Sequence, residues 1–313
     1  MRYYFAPLEG LTDSVYRRLH HKYFPGLDRY YTPFFSPTVH RALTPREARE
    51  LPPADAQDFT LIPQLLTKVP EDFLWMARQC RDLGYTEVNL NLGCPSGTVT
   101  AKGKGSGMLR DLQALDEFLY TIYAADVMDI SVKTRVGFYS SEEFPAILEI
   151  LNRYPIKELT IHPRIRTAFY KGAVEMDCFD LAVKTATAPL CYNGDLCSLS
   201  QIRAFSEVYP QIDAVMLGRG LIGDPGMLTG GTTAEALEGL LSELLEEYLV
   251  VFGGSRNAMF RLKEHWGFLI HKFRDSEKLW KRLRKTTDLS EYKAITREIF
   301  RTLPMKEELS RDW

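Results

Sequence analysis

One cysteine sets the chemical question in this chain. Cys94 lies in the run V-N-L-N-L-G-C-P-S-G-T-V-T-A-K-G-K-G-S-G-M-L-R-D, residues 88–111. Val88, Leu90 and Leu92 alternate with polar residues, which is the period of a strand. A proline at 95 forces Cys94 out of helical geometry into extended geometry. The thiol is therefore expected at the carboxyl end of a strand, at the mouth of a loop. That loop holds Gly97, Gly103, Gly105 and Gly107, with Lys102 and Lys104 between them. Glycine lets backbone approach a ligand, and lysine supplies charge for an anion. An isolated cysteine is more often a small buried hydrophobe. Here the proline, Asn91 two residues before Gly93, and the basic loop favour a working thiol.

Further polar residues stand at the ends of other apolar runs. The third run carries Gln64. The fifth carries Lys133 and Arg135, two apart and so on one strand face. The sixth ends in His162, followed by Arg164 and Arg166. The seventh ends Asn193-Gly194-Asp195 and the eighth Gly218-Arg219-Gly220. Taken singly, Asn-Gly-Asp is a common turn, and a lysine can bury its stem and wet its head. Together they suit a nucleotide. Glycine-rich loops after the last two strands of a barrel are where phosphate is most often held. An amide, a lysine and a histidine opposite such loops suit flavin mononucleotide (FMN). Its ring needs hydrogen bonds at the pyrimidine edge and a cation near N1/O2.

The elements that must position these groups follow from the spacing. Eight short apolar runs cover residues 3–8, 28–35, 60–66, 87–93, 130–136, 158–163, 189–193 and 214–218. Helical patterns fall between them at 14–23 (with Asp13 as N-cap), 71–83 (ending at Gly84), 112–126, 142–154, 179–187 and 199–209, and a short one at 44–51. This alternation predicts an α/β fold, a (β/α)8 TIM barrel, over residues 1–230. A doubly wound dinucleotide fold would show G-x-G-x-x-G after its first strand, but that strand ends A-P-L-E-G. Beyond Gly230-Gly231-Thr232-Thr233 the pattern turns wholly helical: 234–252, 255–273, 276–286 and 290–303, with Ser255 and Ser290 as caps. A C-terminal helical bundle is expected over 234–313.

The chain has 313 residues, 45% hydrophobic and 26% charged, with a net charge of −2. It has no apolar run of membrane length and no signal-peptide pattern, so no membrane association is expected. Five cysteines without C-x-x-C argue against a disulfide framework and against a metal site. The expected compartment is cytoplasmic. Charge is skewed, however. Residues 233–250 hold five Glu and no Lys or Arg, whereas 256–285 hold ten Lys/Arg against three Asp/Glu. The second stretch could meet a phosphate-bearing partner, although charge runs are more often solvated helix faces.

At these motifs the chain resembles the dihydrouridine synthases, flavin enzymes that reduce uridine in tRNA. The pieces that carry the resemblance are F-A-P-L-E-G-L-T-D, N-L-G-C-P-S, K-G-K-G-S-G, S-V-K-T-R-V-G, N-G-D and V-M-L-G-R-G, spread over about residues 5–225. The resemblance implies that Pro7, Leu8, Glu9 and Gln64 line an FMN, with Lys133 at its pyrimidine edge and His162 in the same site. It implies that Asn193, Gly194, Asp195, Gly218 and Arg219 hold the phosphate end. Cys94 becomes the catalytic acid, Asn91 and Arg135 face the uracil, and Arg164 and Arg166 lie toward the tRNA. Departures from the family pattern are Asn89, Thr98, Pro163 and Ile165, with Lys102 and Lys104 compensating for Thr98.

The implied cycle has NADPH, or NADH, reducing FMN. Hydride then passes to uracil C6 while Cys94 protonates C5. A thiol near its ordinary pKa is mostly protonated at neutral pH and suits an acid. The base must leave its stack to reach the site. The basic segment 256–285, through Arg261, Lys263, His265, Lys272 and Arg274 and assisted by Lys102 and Lys104, is expected to grip tRNA, while Trp266 and Phe268 pack the bundle core. A monomer needing no protein partner is expected. Competing readings are a small-molecule FMN reductase, a non-catalytic RNA-binding protein, and a flavin-free lyase using Lys133 as a Schiff base.

Overall fold

The computed structural model describes residues 1–37 and 40–310. Residues 311–313 of the expected helical segment lie outside them. Nine strand segments form one parallel sheet: β1 (Arg2–Phe5), β2 (Arg29–Tyr31), β3 (Leu61–Ile62), β4 (Gln64–Leu65), β5 (Glu87–Leu92), β6 (Asp129–Gly137), β7 (Leu159–Ile165), β8 (Leu190–Tyr192) and β9 (Ala214–Leu217). Their order is β3-β2-β1-β9-β8-β7-β6-β5-β4. The two ends of that order are one stretch of chain. Pro63 separates β3 from β4, and a proline donates no ladder hydrogen bond. Its carbonyl still accepts from Asn89 N at 2.8 Å. The expected run 60–66 is therefore one barrel strand cut in two, and the sheet is an almost closed eight-stranded barrel.

The inward side chains include Tyr4, Ala6, Tyr31, Ile62, Cys191, Ala214 and Met216, all buried. Residues two apart point the same way in a strand, so Tyr4 with Ala6 and Ala214 with Met216 fill one interior. The amino end of the barrel is tied by charge. Arg29 reaches Glu87 at 3.2 Å and Glu158 at 3.9 Å, and Tyr4 donates to Glu158 at 2.9 Å.

The helices in chain order are α1 (Ser14–Tyr23), α2 (Pro45–Glu50), α3 (Pro70–Asp82), α4 (Gly97–Thr100), α5 (Leu112–Ala124), α6 (Phe144–Leu151), α7 (Met176–Thr185), α8 (Leu199–Val208), α9 (Arg219–Gly223), α10 (Ala234–Val251), α11 (Ser255–Leu269), α12 (Glu277–Lys285) and α13 (Leu289–Thr302). Asp13 caps α1 by accepting from Tyr16 N. Two expected caps shift. Gly254 precedes α11, placing Ser255 inside it, and Asp288 rather than Ser290 caps α13 by accepting from Glu291 N. Among the described residues, no helix is long and apolar enough to cross a membrane.

The chain divides into two compact units. The first is 1–7, 28–194 and 211–216, which holds nearly the whole sheet with α2 to α7. The second is 8–27, 195–210 and 217–313. There α10 packs on α1 and α11, and α11 on α9 and α13. Trp266 is fully buried in this unit, with its indole N–H donating to Tyr292 Oη at 3.0 Å.

Candidate active site

β5 is buried along its length and ends two residues before Cys94. Val88, Leu90 and Leu92 are fully buried, and between them Asn89 and Asn91 join an amide chain. Asn89 donates to Ser131 Oγ at 3.0 Å and accepts from Gln64 Nε2 at 2.8 Å. Gln64 Oε1 accepts from Asn91 Nδ2 at 2.7 Å. Asn91 Oδ1 then accepts from Gly93 N at 3.0 Å and Cys94 N at 2.8 Å. Asn91 thus fixes the turn that carries the cysteine, and Asn89, which differs from the family pattern, supports it from behind.

The other side of Cys94 is held as firmly. Its carbonyl accepts from Ser106 Oγ at 2.8 Å and Ser106 N at 3.2 Å. The carbonyls on either side are each taken by an arginine: Arg135 Nε to Gly93 O at 3.0 Å, and Arg166 Nε to Pro95 O at 3.1 Å. Gly105, at φ +59°, lies over the cysteine; a Cβ there would sit 3.0 Å from Cys94 Cβ. Only glycine combines that backbone with that approach. The loop read from sequence as glycine-rich and basic is therefore a compact cover made of α4 and a short helical turn, Gly105–Arg110. Cys94 itself is partly exposed and unbridged. Sequence reasoning named this loop's glycines and lysines but not Ser106. Lys102 is exposed, and Lys104 donates to Ser36 Oγ at 2.7 Å.

Lys133 pairs in register with Asn91 across the sheet. Its ammonium is pushed down to about 8, first by burial and then by the positive charge of Arg135. Among the described residues it makes no hydrogen bond or ion pair. A desolvated cation without an acceptor is costly. The middle of β6 therefore offers a donor awaiting an acceptor, the chemistry a flavin pyrimidine edge presents. Arg135 is buried too, brought down to about 10 by that burial, and its Nη1 donates to Ile165 O at 2.9 Å.

His162 is buried on β7, and Arg164 Nη1 lies 3.1 Å from its Nε2. Guanidinium can only donate, so Nε2 accepts. Arg164 also donates to Gly172 O at 2.7 Å and is 1% exposed. Asn193 Nδ2 donates to Met216 O at 2.7 Å, tying β8 to β9. A Cβ on Gly194 would meet Tyr192 Oη at 2.7 Å. Pro7 is half-buried at the end of β1.

The second unit holds the remaining expected residues. Leu8 N donates to Thr12 Oγ1 at 2.8 Å, closing a tight turn around Glu9, whose side chain is exposed. Arg219, just after Gly218, pairs with Asp195 at 3.0 Å. Of the basic residues expected to grip tRNA, Arg274 is exposed. Arg261 bonds Gly10 O and pairs with Glu264 at 2.7 Å. Lys263 donates to Thr286 O, near the end of α12. His265 and Lys272 must be reassigned: His265 is fully buried with Nε2 2.8 Å from Leu11 O, and Lys272 is 1% exposed, paired with Asp224 at 2.6 Å and bonded to Glu307 O at 2.9 Å. The charge of Lys272 is spent inside the fold.

Comparison with known proteins decides the class. Residues 4–303 match the family described as dihydrouridine synthase. The chain belongs to the dihydrouridine synthase family. It is 29% identical over 221 residues to a probable tRNA-dihydrouridine synthase 1 of Synechocystis, covering 70% of this chain and 61% of that one. With a probable tRNA-dihydrouridine synthase of Staphylococcus aureus it shares 25% identity over 311 residues, 94% of this chain and 91% of that one. In fold it is similar to histamine dehydrogenase from Rhizobium sp. 4-9, with TM-score 0.53, 11% identity, 85% of this chain and 49% of the other. A morphinone reductase variant gives TM-score 0.51 at 10% identity, covering 72% and 85%. As a member of this family the chain is a flavin-dependent oxidoreductase.

Proposed function

We propose that this chain reduces the C5–C6 double bond of a specific tRNA uridine with FMN and NADPH, and that Cys94 is the proton donor. The observation that carries this reading is a partly exposed cysteine whose backbone is held on both sides, with a half-buried lysine on the neighbouring strand whose ammonium makes no hydrogen bond or ion pair among the described residues. Bound there, FMN would supply the hydride chemistry, with the nicotinamide as reductant and uracil C6 as the carbon reduced.

The chain's own residues do the rest. Lys133 offers its ammonium to the flavin pyrimidine edge, stabilising negative charge there. Gln64 and His162 lie in the same site. The family resemblance assigns flavin contacts to Pro7, Asn193 and Gly194 in the first unit, and to Leu8, Glu9, Asp195, Gly218 and Arg219 in the second. Asn91, Ser106, Arg135 and Arg166 fix the backbone around Cys94, so that Sγ delivers its proton to C5 without reorganisation. Residues 1–230 are assigned to catalysis and 234–313 to tRNA binding, with Arg274 and Lys102 as solvent-facing cations. The chain works as a cytoplasmic monomer.

The test is nucleoside mass spectrometry on unmodified tRNA incubated with FMN-loaded protein and NADPH. New dihydrouridine at one position is expected. A flavin-loaded protein that leaves competent tRNA unchanged would refute the reading.

A further inference from the structure

We infer that the barrel rim beside Cys94 carries a second nucleotide subsite, which stacks an unpaired base flanking the target uridine and takes its phosphate on arginine. The inference rests on the tRNA reading above. Phe138 follows the last residue of β6 and is buried. Its neighbour Tyr139 meets it edge-on, with centroids 4.6 Å apart, and is 66% exposed. Phe169, in the turn after β7, is 42% exposed and sits at φ +50°. A bulky residue in the left-handed region is strained and persists only where its surroundings fix it. Arg166 stands against its ring, and the Arg166 carbonyl accepts from Phe169 N at 3.1 Å. That guanidinium lies 5.2 Å from the Phe169 ring centroid and 5.3 Å from that of Phe138. Arg110 lies 4.9 Å from Phe138 as well.

Neither arginine is neutralised. Arg110 donates to Gly107 O and Thr100 O, and Arg166 to Pro95 O and Thr100 Oγ1. Among the described residues, neither has a carboxylate within ion-pair distance. Carbonyls cancel no net charge. The rim thus presents two uncompensated cations beside exposed aromatic faces, the chemistry that holds single-stranded nucleic acid. Its position suits a flanking nucleotide. Arg166 binds the carbonyl of the residue after Cys94, so the shelf stands one side chain from the proton donor. Extruding a uridine unstacks its neighbours, and this shelf restacks one of them.

The test is a Tyr139→Ala, Phe169→Ala double variant in FMN-loaded protein. Filter binding should show tRNA Kd raised about 5- to 100-fold, as loss of one base stack implies. KM for tRNA should rise alike, with kcat and NADPH-driven flavin bleaching unchanged. Tyr139→Phe with Phe169→Tyr should restore both constants. Arg110→Gln should lower the slope of log K against log salt by about 1. A double variant whose Kd and KM stay within twofold of wild type overturns the subsite, and an unchanged salt slope removes the phosphate contact. The binding arm needs no turnover. A wild-type protein that binds tRNA without making dihydrouridine would sink the reaction while leaving the shelf to be judged by Kd.

Discussion

Replacing Lys133 with methionine should stabilise the flavin-free protein while weakening its hold on flavin. Methionine keeps the length of the side chain and removes the charge. Burial and Arg135 bring the ammonium from 10.5 to about 8, and no acceptor among the described residues offsets this. A tenfold weaker hold on the proton corresponds to about 1.4 kcal/mol, so the charged lysine costs the folded state up to about 3 kcal/mol at pH 7. Partial exposure of the side chain screens this to about 1–3 kcal/mol. The variant should therefore melt about 2–8 °C higher without flavin. The sign has a pH signature. Between pH 8 and 10.5 the unfolded wild-type chain binds the proton more than the folded one does, so wild-type stability rises with pH. The variant's advantage is complete below pH 8 and gone above 10.5. Thermal denaturation of deflavinated protein from about pH 7 to beyond the ordinary lysine range reads this directly. FMN affinity should fall about 10- to 100-fold, the loss of a charge-assisted hydrogen bond. A variant that melts lower than wild type at neutral pH, or whose advantage persists where lysine is neutral in both states, would show that the ammonium is satisfied within the protein. The donor assigned to flavin would then be gone.

Three further outcomes follow from other groups. Cys94→Ala should keep FMN and its reduction by NADPH but slow dihydrouridine formation about 10²- to 10⁴-fold, the contribution of a general acid; single-turnover kinetics that match wild type would remove the acid role. Burial pushes His20 down to about 3 and His265 down to about 4, so both are neutral when folded and gain protons on unfolding. Stability should fall by about 1.4 kcal/mol per histidine for each pH unit below about 6.5, and urea titrations at about pH 7, 6 and 5 that coincide would contradict this. Lys272→Ala should destabilise by about 3–5 kcal/mol, because Asp224 is left buried and unpaired, without altering the salt slope of tRNA binding. Arg274→Ala should do the reverse, lowering the slope by about 1 at constant stability.

Lys272 and Arg274 mark where sequence reading reaches its limit. Two residues apart in a basic stretch, they read alike, but one is sealed against Asp224 and the other faces water. Asp224 lies 48 residues away, and no local pattern encodes a pairing over that separation. The rim has the same difficulty, because Tyr139 and Phe169 sit in separate loops where no periodicity operates. The strand ends are different. Val88, Leu90 and Leu92 alternate with Asn89 and Asn91, and alternation alone says that the two sets point to opposite sides of the sheet. In a barrel both sides are enclosed, so a polar set at one strand's end has no solvent to explain it. It must meet other polar groups or a ligand. Asn91 and Gln64 meet each other and Cys94 N. The ammonium of Lys133, paired in register beside Asn91, makes no hydrogen bond or ion pair among the described residues. The amide network is thus self-sufficient, and the lysine is not. That asymmetry distinguishes the residues that build the site from the residue that waits for what the site binds.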